Sequence, residues 1–316
     1  MQETNANLSI SEHEKINVHK SVLLHEVISG LDIHKGEIYL DGTLGSGGHA
    51  RYALEKAEGA LTIIGLDRDK VAIDRARKNL DEIKNIESKI FLKNVSYGDL
   101  NIVLDELGIN KVDKILFDLG LSSDQFETSG RGFTFKRDEP LLMTFQKDIL
   151  PDDITAKYIV NNWGEETLAD IIYGYGEERY SRKIAKNIVS YRKKKSIETT
   201  FELVDIIQHS VPDSYKRGRI HPATRTFQAL RIAVNDELNT LKQGLNKGFE
   251  RLKIGGRMAV ISFHSLEDRI VKHFYKEKEG IKIITKKPIV PSDEEIKENP
   301  RSRSAKLRIM EKIEIE

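Results

Sequence analysis

The sequence contains no cysteine. Disulfides, thiolate zinc sites and cysteine nucleophiles are therefore excluded, which fits a reducing compartment. An excess of charge of either sign is also missing, since 51 basic residues stand against 50 acidic ones for a formal net charge of +1. The global balance favours no polyanionic partner, so any nucleic-acid partner has to be argued from local clusters. No apolar run approaches the roughly 20 residues that span a bilayer. The first seventeen residues are polar and mixed in charge, without the apolar stretch of a secretory signal. The cytoplasm, with no membrane partner, is the expected setting. Nothing in the residues selects an oligomeric state, a homodimer included.

What is present is the composition of a globular protein: 39% hydrophobic and 32% charged residues in 316 positions. That length buries a substantial core and holds one large or two medium domains. EIYLDGT, LTIIGLD and VDKILFDLG read as buried parallel strands, each closing on an acidic residue or glycine. ARYALEKA and KVAIDRARKNLDEI, which follow the first two, are helical by period and propensity. This alternation predicts βαβ units in a doubly wound sheet.

From about residue 125 to 215 strand-like sequence nearly vanishes and helical patterns take over, as where Tyr180, Ile184, Ile188 and Tyr191 share one face. One long amphipathic helix is then expected, with Phe227, Leu230, Val234, Leu238, Leu241, Leu245, Phe249 and Leu252 on its stripe. Gly255 and Gly256 read as its C-cap, RMAVISF as a returning strand, and Ser265 with Asp268 as a capping box. KIITKK and KLRIMEKI read as closing strands, and residues 288–300 as a solvated loop. The simplest account is an α/β domain over 1–125 and 216–316, interrupted by a helical insertion over 126–215.

The chemistry concentrates in residues 38–50, IYLDGTLGSGGHA. A strand ending at Asp41 runs into Gly42, Gly45, Gly47 and Gly48, which allow positive φ and close approach of a ligand to the backbone. The next helix start offers unpaired N–H groups. Asp67, 22 residues past Gly45, can accept ribose hydroxyls. The glycine run alone also fits a dinucleotide fingerprint. Asp41 ahead of it would repel a pyrophosphate, however, and Asp118 ends the third strand. Three carboxylates at adjacent strand ends suit a cationic nucleoside. His49 can either contact that ligand or cap its helix.

Basic residues cluster locally. Residues 179–195 hold eight Lys or Arg and no acid, Lys216, Arg217, Arg219 and Arg225 form a second group, and Arg301, Arg303 and Lys306 a third. Such runs fit either an RNA partner or a solvated face.

The chain resembles the bacterial small-subunit ribosomal RNA cytosine-N4 methyltransferase family. The resemblance runs from HKSVLLHEVISGL at residues 19–31 to RSRSAKLRI at 301–309, through DGTLGSGGHA, LDRD, FDLGLSS, RGFTF, YGEER, HPATRTFQALRIAVNDEL and GGRMAVISFHSLEDRIVKHF. It implies a Rossmann-like class I methyltransferase sheet with an inserted all-helical domain for substrate recognition. It also implies S-adenosyl-L-methionine as cofactor and the N4 amine of a decoding-centre cytidine in 16S ribosomal RNA, within the small ribosomal subunit, as acceptor. The cofactor contacts it implies are Gly47, Gly48, His49, Asp67, Tyr97, Asp118 and Gln125. One departure stands after RGFTF, where Leu142, Thr144 and Gln146 replace polar residues of the family pattern.

Transfer to a delocalised amine rests on in-line positioning plus a hydrogen-bond acceptor. The Pro-Pro motif of many amino methyltransferases is absent after Asp118, where the chain reads DLGLSS. Asp118 and His264 are the acceptor candidates, and Ser122 or Ser123 could orient the base. Asp118 is equally a clamp for the cofactor's amine, and His264 a structural hydrogen-bonder. Other readings the residues leave open are a methyltransferase for DNA, protein or a small molecule, a nicotinamide-dependent dehydrogenase, and a non-catalytic ribosome-assembly factor.

Overall fold

The computed structural model describes residues 20–83, 87–121, 126, 129–146, 149–150 and 152–315. Seven strands form one sheet in the order β3-β2-β1-β4-β5-β7-β6. They are β1 (Ile38–Asp41), β2 (Thr62–Leu66), β3 (Lys89–Lys93), β4 (Val112–Asp118), β5 (Leu252–Ser262), β6 (Ile281–Ile283) and β7 (Lys306–Lys312). The first five run parallel, and β7 is antiparallel to both of its neighbours. The chain moves outward from β1 to β3 and then returns to place β4 on the other side of β1. In an open α/β sheet that reversal opens a crevice at the carboxyl ends of the strands, here between β1 and β4.

The helices are α1 (Leu24–Leu31), α2 (Gly48–Lys56), α3 (Lys70–Asp81), α4 (Leu100–Glu106), α5 (Ala156–Asn162), α6 (Glu165–Gly176), α7 (Ser181–Arg192), α8 (Thr200–Ser210), α9 (Asp213–Lys216), α10 (Ala223–Asn235), α11 (Glu237–Arg251), α12 (Ser265–Glu277) and α13 (Asp293–Glu298). The apolar residues of α1, α2 and α3 cover one face of the sheet. Those of α4, α11 and α12 cover the other. A separate hydrophobic cluster runs from Phe133 through α5–α8 to Ala223, Phe227 and Leu230, so helical packing continues past residue 215 into α10.

The single long helix expected from Phe227 to Leu252 is two helices. Asp236 adopts a left-handed conformation (φ 48°) between α10 and α11. Phe227 and Leu230 therefore belong to the separate helical cluster, whereas Leu241, Leu245 and Phe249 pack under the sheet. A periodic stripe reports that each residue is covered, not by which core. Nor do Gly255 and Gly256 end a helix. They lie inside β5, where Gly255 has φ 76° and the β4 register slips between Val112 and Lys114. Residues 288–300 are no plain loop either, because they contain α13, whose Glu295 accepts a hydrogen bond from the Leu23 N–H. None of the helices over the described residues is long and apolar enough to cross a membrane.

Two connections hold this helical cluster against the sheet. Arg131 donates to Asp69 at 2.7 Å and to the Phe145 carbonyl at 2.7 Å, with both charged groups buried. Asn235 donates to the Met143 carbonyl and accepts from the Phe145 N–H, while Arg68 donates to the Asn235 carbonyl. A pair out of water at this distance is held firmly, because neither partner can be solvated if the other leaves. Phe145 is thereby delivered to the open end of the sheet.

Candidate active site

The site is built on the loop after β1. Main-chain hydrogen bonds from Gly42 to Leu116 and from Leu44 to Leu66 stitch that loop to the ends of β4 and β2. Gly42 has no room for a side chain, since a Cβ there would meet the Phe117 ring at 2.5 Å. Gly47 takes φ 83° as the residue capping α2, a conformation that glycine adopts without strain. Thr43 Oγ1 accepts the Asp118 N–H at 2.6 Å, joining loop and β4.

A cleft opens above this framework. Gly45, Gly48, His49, Asp67, Tyr97 and Asp118 line it. Gly47 is not among the lining residues, and a Cβ there would meet Ala76 of α3 at 3.2 Å. Gln125, Ser122 and Ser123 lie outside the described residues. The Tyr97 ring leans on Phe117 with centroids 4.9 Å apart and rests against Gly244 of α11.

The three carboxylates end adjacent strands, but their environments differ. Asp41 is buried beneath the loop and accepts from Tyr39 Oη and the Thr43 N–H. Burial pushes it up to about 7. Asp67 accepts from the Gly45 and Asp69 N–H groups, and burial raises it to about 6. Burial, followed by the charges of Asp41 and Glu267, holds Asp118 well above the usual carboxylate range. Its Oδ1 is buried and has no hydrogen-bond partner among the described residues, while its Oδ2 lies 3.8 Å from His49 Nδ1. His49 Nε2 meets the Val22 carbonyl at 3.0 Å, which ties α2 to the segment before α1. A buried acceptor without a partner is costly, and a donor or cation at that point removes the cost.

The helix after β5 starts one residue earlier than its sequence suggests. His264, not Ser265, caps α12, and its partner in the capping box is Glu267, not Asp268. His264 Nδ1 accepts the Glu267 N–H at 3.4 Å, its Nε2 is buried with no hydrogen-bond partner among the described residues, and the residue is not among those lining the cleft. Glu267, which is, accepts from the Phe263 and His264 N–H groups. Asp268 instead binds Lys306 and Arg308, so one residue of the third basic cluster is ion-paired within the fold.

Phe145, Phe263, Glu237, Glu267 and Thr240 also line the cleft and carried no signal of their own in the sequence, and Arg301 of the third basic cluster lines it with them. The only pointer to Glu267 and Glu237 is their place in the stretches SFHSLEDR and AVNDEL. Phe145 comes from the segment where the chain departs from the family pattern. There, Thr144 is buried and accepts the Gln146 N–H, so its side chain braces the turn beside the cleft.

Arg182, Lys183 and Lys186 of α7 lie on its exposed side, opposite Ile184 and Ile188, whereas Arg192 turns inward and donates to the Val160 carbonyl. Arg179 lies over the rings of Tyr180 and Tyr215, whose hydroxyl donates to the buried Glu178. Arg301 stacks on Phe126 at 4.7 Å, at the edge of the cleft.

Comparison with known proteins adds an independent line. The chain is 48% identical over 301 residues to the ribosomal RNA small subunit methyltransferase H of Kosmotoga olearia, covering 93% of this chain and 97% of that protein. It is 49% identical over 301 residues to the protein of the same name from a Sulfurihydrogenibium species, covering 93% and 99%. Among solved structures, a methyltransferase of Streptococcus mutans in complex with SAH aligns over 92% of this chain and 96% of its own, with 15% identity and a TM-score of 0.43. The model of the MraW methylase family matches residues 16–313. The whole sheet, its acidic crevice and the separate helical cluster fall inside that match, and the chain belongs to the MraW methylase family.

Proposed function

We propose that the protein is a ribosomal RNA methyltransferase of the small subunit, and that it uses S-adenosylmethionine to methylate N4 of a decoding-centre cytidine in 16S rRNA. The observation carrying this reading is the unpartnered, buried Oδ1 of Asp118 in a crevice where Asp41, Asp67 and Asp118 end adjacent strands. The donor set fits the cofactor. Asp67 suits ribose hydroxyls, Asp118 suits the amino group of the methionine part, and Tyr97 offers an aromatic wall to the adenine. Gly45 and Gly48 let the ligand lie close to the backbone. A dinucleotide would bring its pyrophosphate against three carboxyl groups, which disfavours the dehydrogenase reading.

The bound cofactor supplies a methyl group already activated as a sulfonium. What the chain contributes is position: the loop after β1 fixes one reactant, and the cleft wall of Phe145, Phe263 and Leu121 receives the other. The target base has to leave its stack to reach a buried methyl group, and apolar and aromatic side chains are suited to hold an extruded base. We assign RNA recognition to the insertion, residues 126–215 with the adjoining α10, because α7 presents Arg182, Lys183 and Lys186 to solvent beside the pinned Arg179.

The test is methyl transfer from labelled S-adenosylmethionine to small subunits lacking the modification, with the product mapped by mass spectrometry. Label in N4-methylcytidine at a single decoding-centre position is the expected result. Label on another nucleotide, or on protein, overturns the acceptor assignment.

A further inference from the structure

Two acidic side chains of the cleft, Glu237 and Glu267, have no part in holding the cofactor as assigned above. Glu237 is held in a two-pronged ion pair, its two oxygens each accepting from Arg231 at 2.8 Å. A metal ion among Glu237, His264 and Glu267 would have to displace that buried guanidinium. Glu267 is different. Its Oε2 accepts from the Phe263 and His264 N–H groups at 2.8 and 3.3 Å. Its Oε1 lies 3.2 Å from His264 Nε2, and as a carboxylate oxygen it retains a second lone pair in a residue that lines the cleft.

The position of Glu267 follows from the sheet. Asp118 at the end of β4 pairs with Ile261 of β5, and the Leu119 N–H donates to the Ile261 carbonyl. The chain then turns through Phe263, whose ring packs on Gly120, into the first turn of α12. Glu267 therefore stands on the β5 side of the crevice, across from the glycine loop that holds the cofactor in our reading. The carboxyl groups of Asp118 and Glu267 are shifted in opposite directions. Burial, then the charges of Asp41 and Glu267, raises Asp118. At Glu267 burial works the same way but is outweighed by His264, Arg231 and the Phe263 N–H, which hold it below the usual carboxylate range. The other charged or titratable groups facing it are Glu237 and Tyr97. Two neighbouring carboxyl groups driven apart in this way are suited to different tasks.

We propose that Glu267 is a catalytic residue that accepts an N–H of the acceptor's exocyclic amine, aims its lone pair at the methyl group, and then takes the proton. This rests on the methyltransferase reading above. In the step, the nitrogen lone pair forms the N–C bond while the C–S bond breaks and its electron pair returns to sulfur as a neutral thioether. The amine nitrogen, now cationic, gives one proton to Glu267 Oε1, and the carboxylic acid so formed releases it to water as product leaves. Asp118 remains a clamp for the cofactor, and His264 a positioning residue that orients Glu267.

The test uses the full-length protein, with S-adenosylhomocysteine bound, and small subunits carrying either cytidine or uridine at the target position. Cytidine N4–H donates to Glu267, whereas uridine O4 opposes it, so the wild type should bind the cytidine subunit about tenfold or more tightly. Glu267→Gln keeps the capping box, which takes Glu or Gln alike, and its amide can donate to O4. The expected result is a cytidine-to-uridine ratio falling to about one or below, kcat down about 10²–10⁴-fold, and S-adenosylhomocysteine affinity unchanged. A variant that keeps both the preference and kcat overturns the proposal. A wild-type ratio near one overturns it without any variant, which covers the case in which Glu267→Gln does not fold. If wild type transfers no methyl to small subunits, the underlying reading fails instead.

Discussion

Raising or lowering pH between 5 and 8 should act on cofactor binding through the strand-end carboxyls. Asp67 is raised to about 6 mainly by burial, although the Asp69 and Gly45 N–H groups oppose the shift. If ribose hydroxyls require its ionised form, affinity falls as pH drops through 6. At pH 5 about one molecule in eleven carries the ionised group, against nearly all at pH 8, a loss of about tenfold or 1.4 kcal/mol. Asp118, shifted upward by burial and by Asp41 and Glu267, should add to that loss. Binding at pH 6 should therefore release at least about half a proton, read as the dependence of calorimetric enthalpy on buffer ionisation heat. For the unliganded fold the sign is reversed. Carboxyls with raised native pKa contribute most stability below their unfolded value near 4, and lose it as pH climbs through about 6 to 7. The melting-temperature gain on adding cofactor should thus widen from pH 5 to pH 8. Asp67→Asn should lower the slope of log affinity against pH by one unit below pH 6. Affinity that is flat or falls over this range would refute the reasoning.

Three further outcomes are expected. Arg131→Met removes the buried cation facing Asp69, and Asp69→Ala removes the buried anion facing Arg131 together with the cap of α3. Each single change should cost about 3–5 kcal/mol in urea unfolding, the double change less than their sum, and additive losses would count against coupling. Gly244→Ala places a Cβ 2.5 Å from the Tyr97 ring. It should destabilise by about 1–3 kcal/mol and weaken cofactor binding by pushing that ring into the cleft, so unchanged affinity would show that Tyr97 does not wall the site. Affinity for small subunits should fall linearly in a plot against log salt, and converting Arg182, Lys183 and Lys186 to Gln should flatten that slope without altering cofactor affinity.

The sheet was legible where apolar runs were pure. β1, β2 and β4 are buried on both faces, so their sequences carry no competing period. β3 carries no such signal because KIFLK is an edge strand bounded by lysines in which only Leu92 is buried. The cofactor loop could be read because glycines and acids have local chemical reasons to sit where they do. Glu267 could not, because what distinguishes it from any first-turn glutamate is a long-range fact, the arrival of α12 beside the end of β4. The break at Asp236 was equally hidden. An aspartate in left-handed backbone carries no glycine to announce it, and the apolar spacing runs through it uninterrupted.

The claim most exposed to a single measurement is that the acidic crevice holds a sulfonium nucleoside and not a dinucleotide. Thermal unfolding in the presence of S-adenosylmethionine, and separately of a nicotinamide dinucleotide, separates the two. At about one hundred times its dissociation constant, S-adenosylmethionine should stabilise the fold by about 2.7 kcal/mol, a rise of roughly 4 °C for a chain of this size. The dinucleotide should leave the melting temperature where it was. A rise with the dinucleotide and none with S-adenosylmethionine would contradict the account at its root.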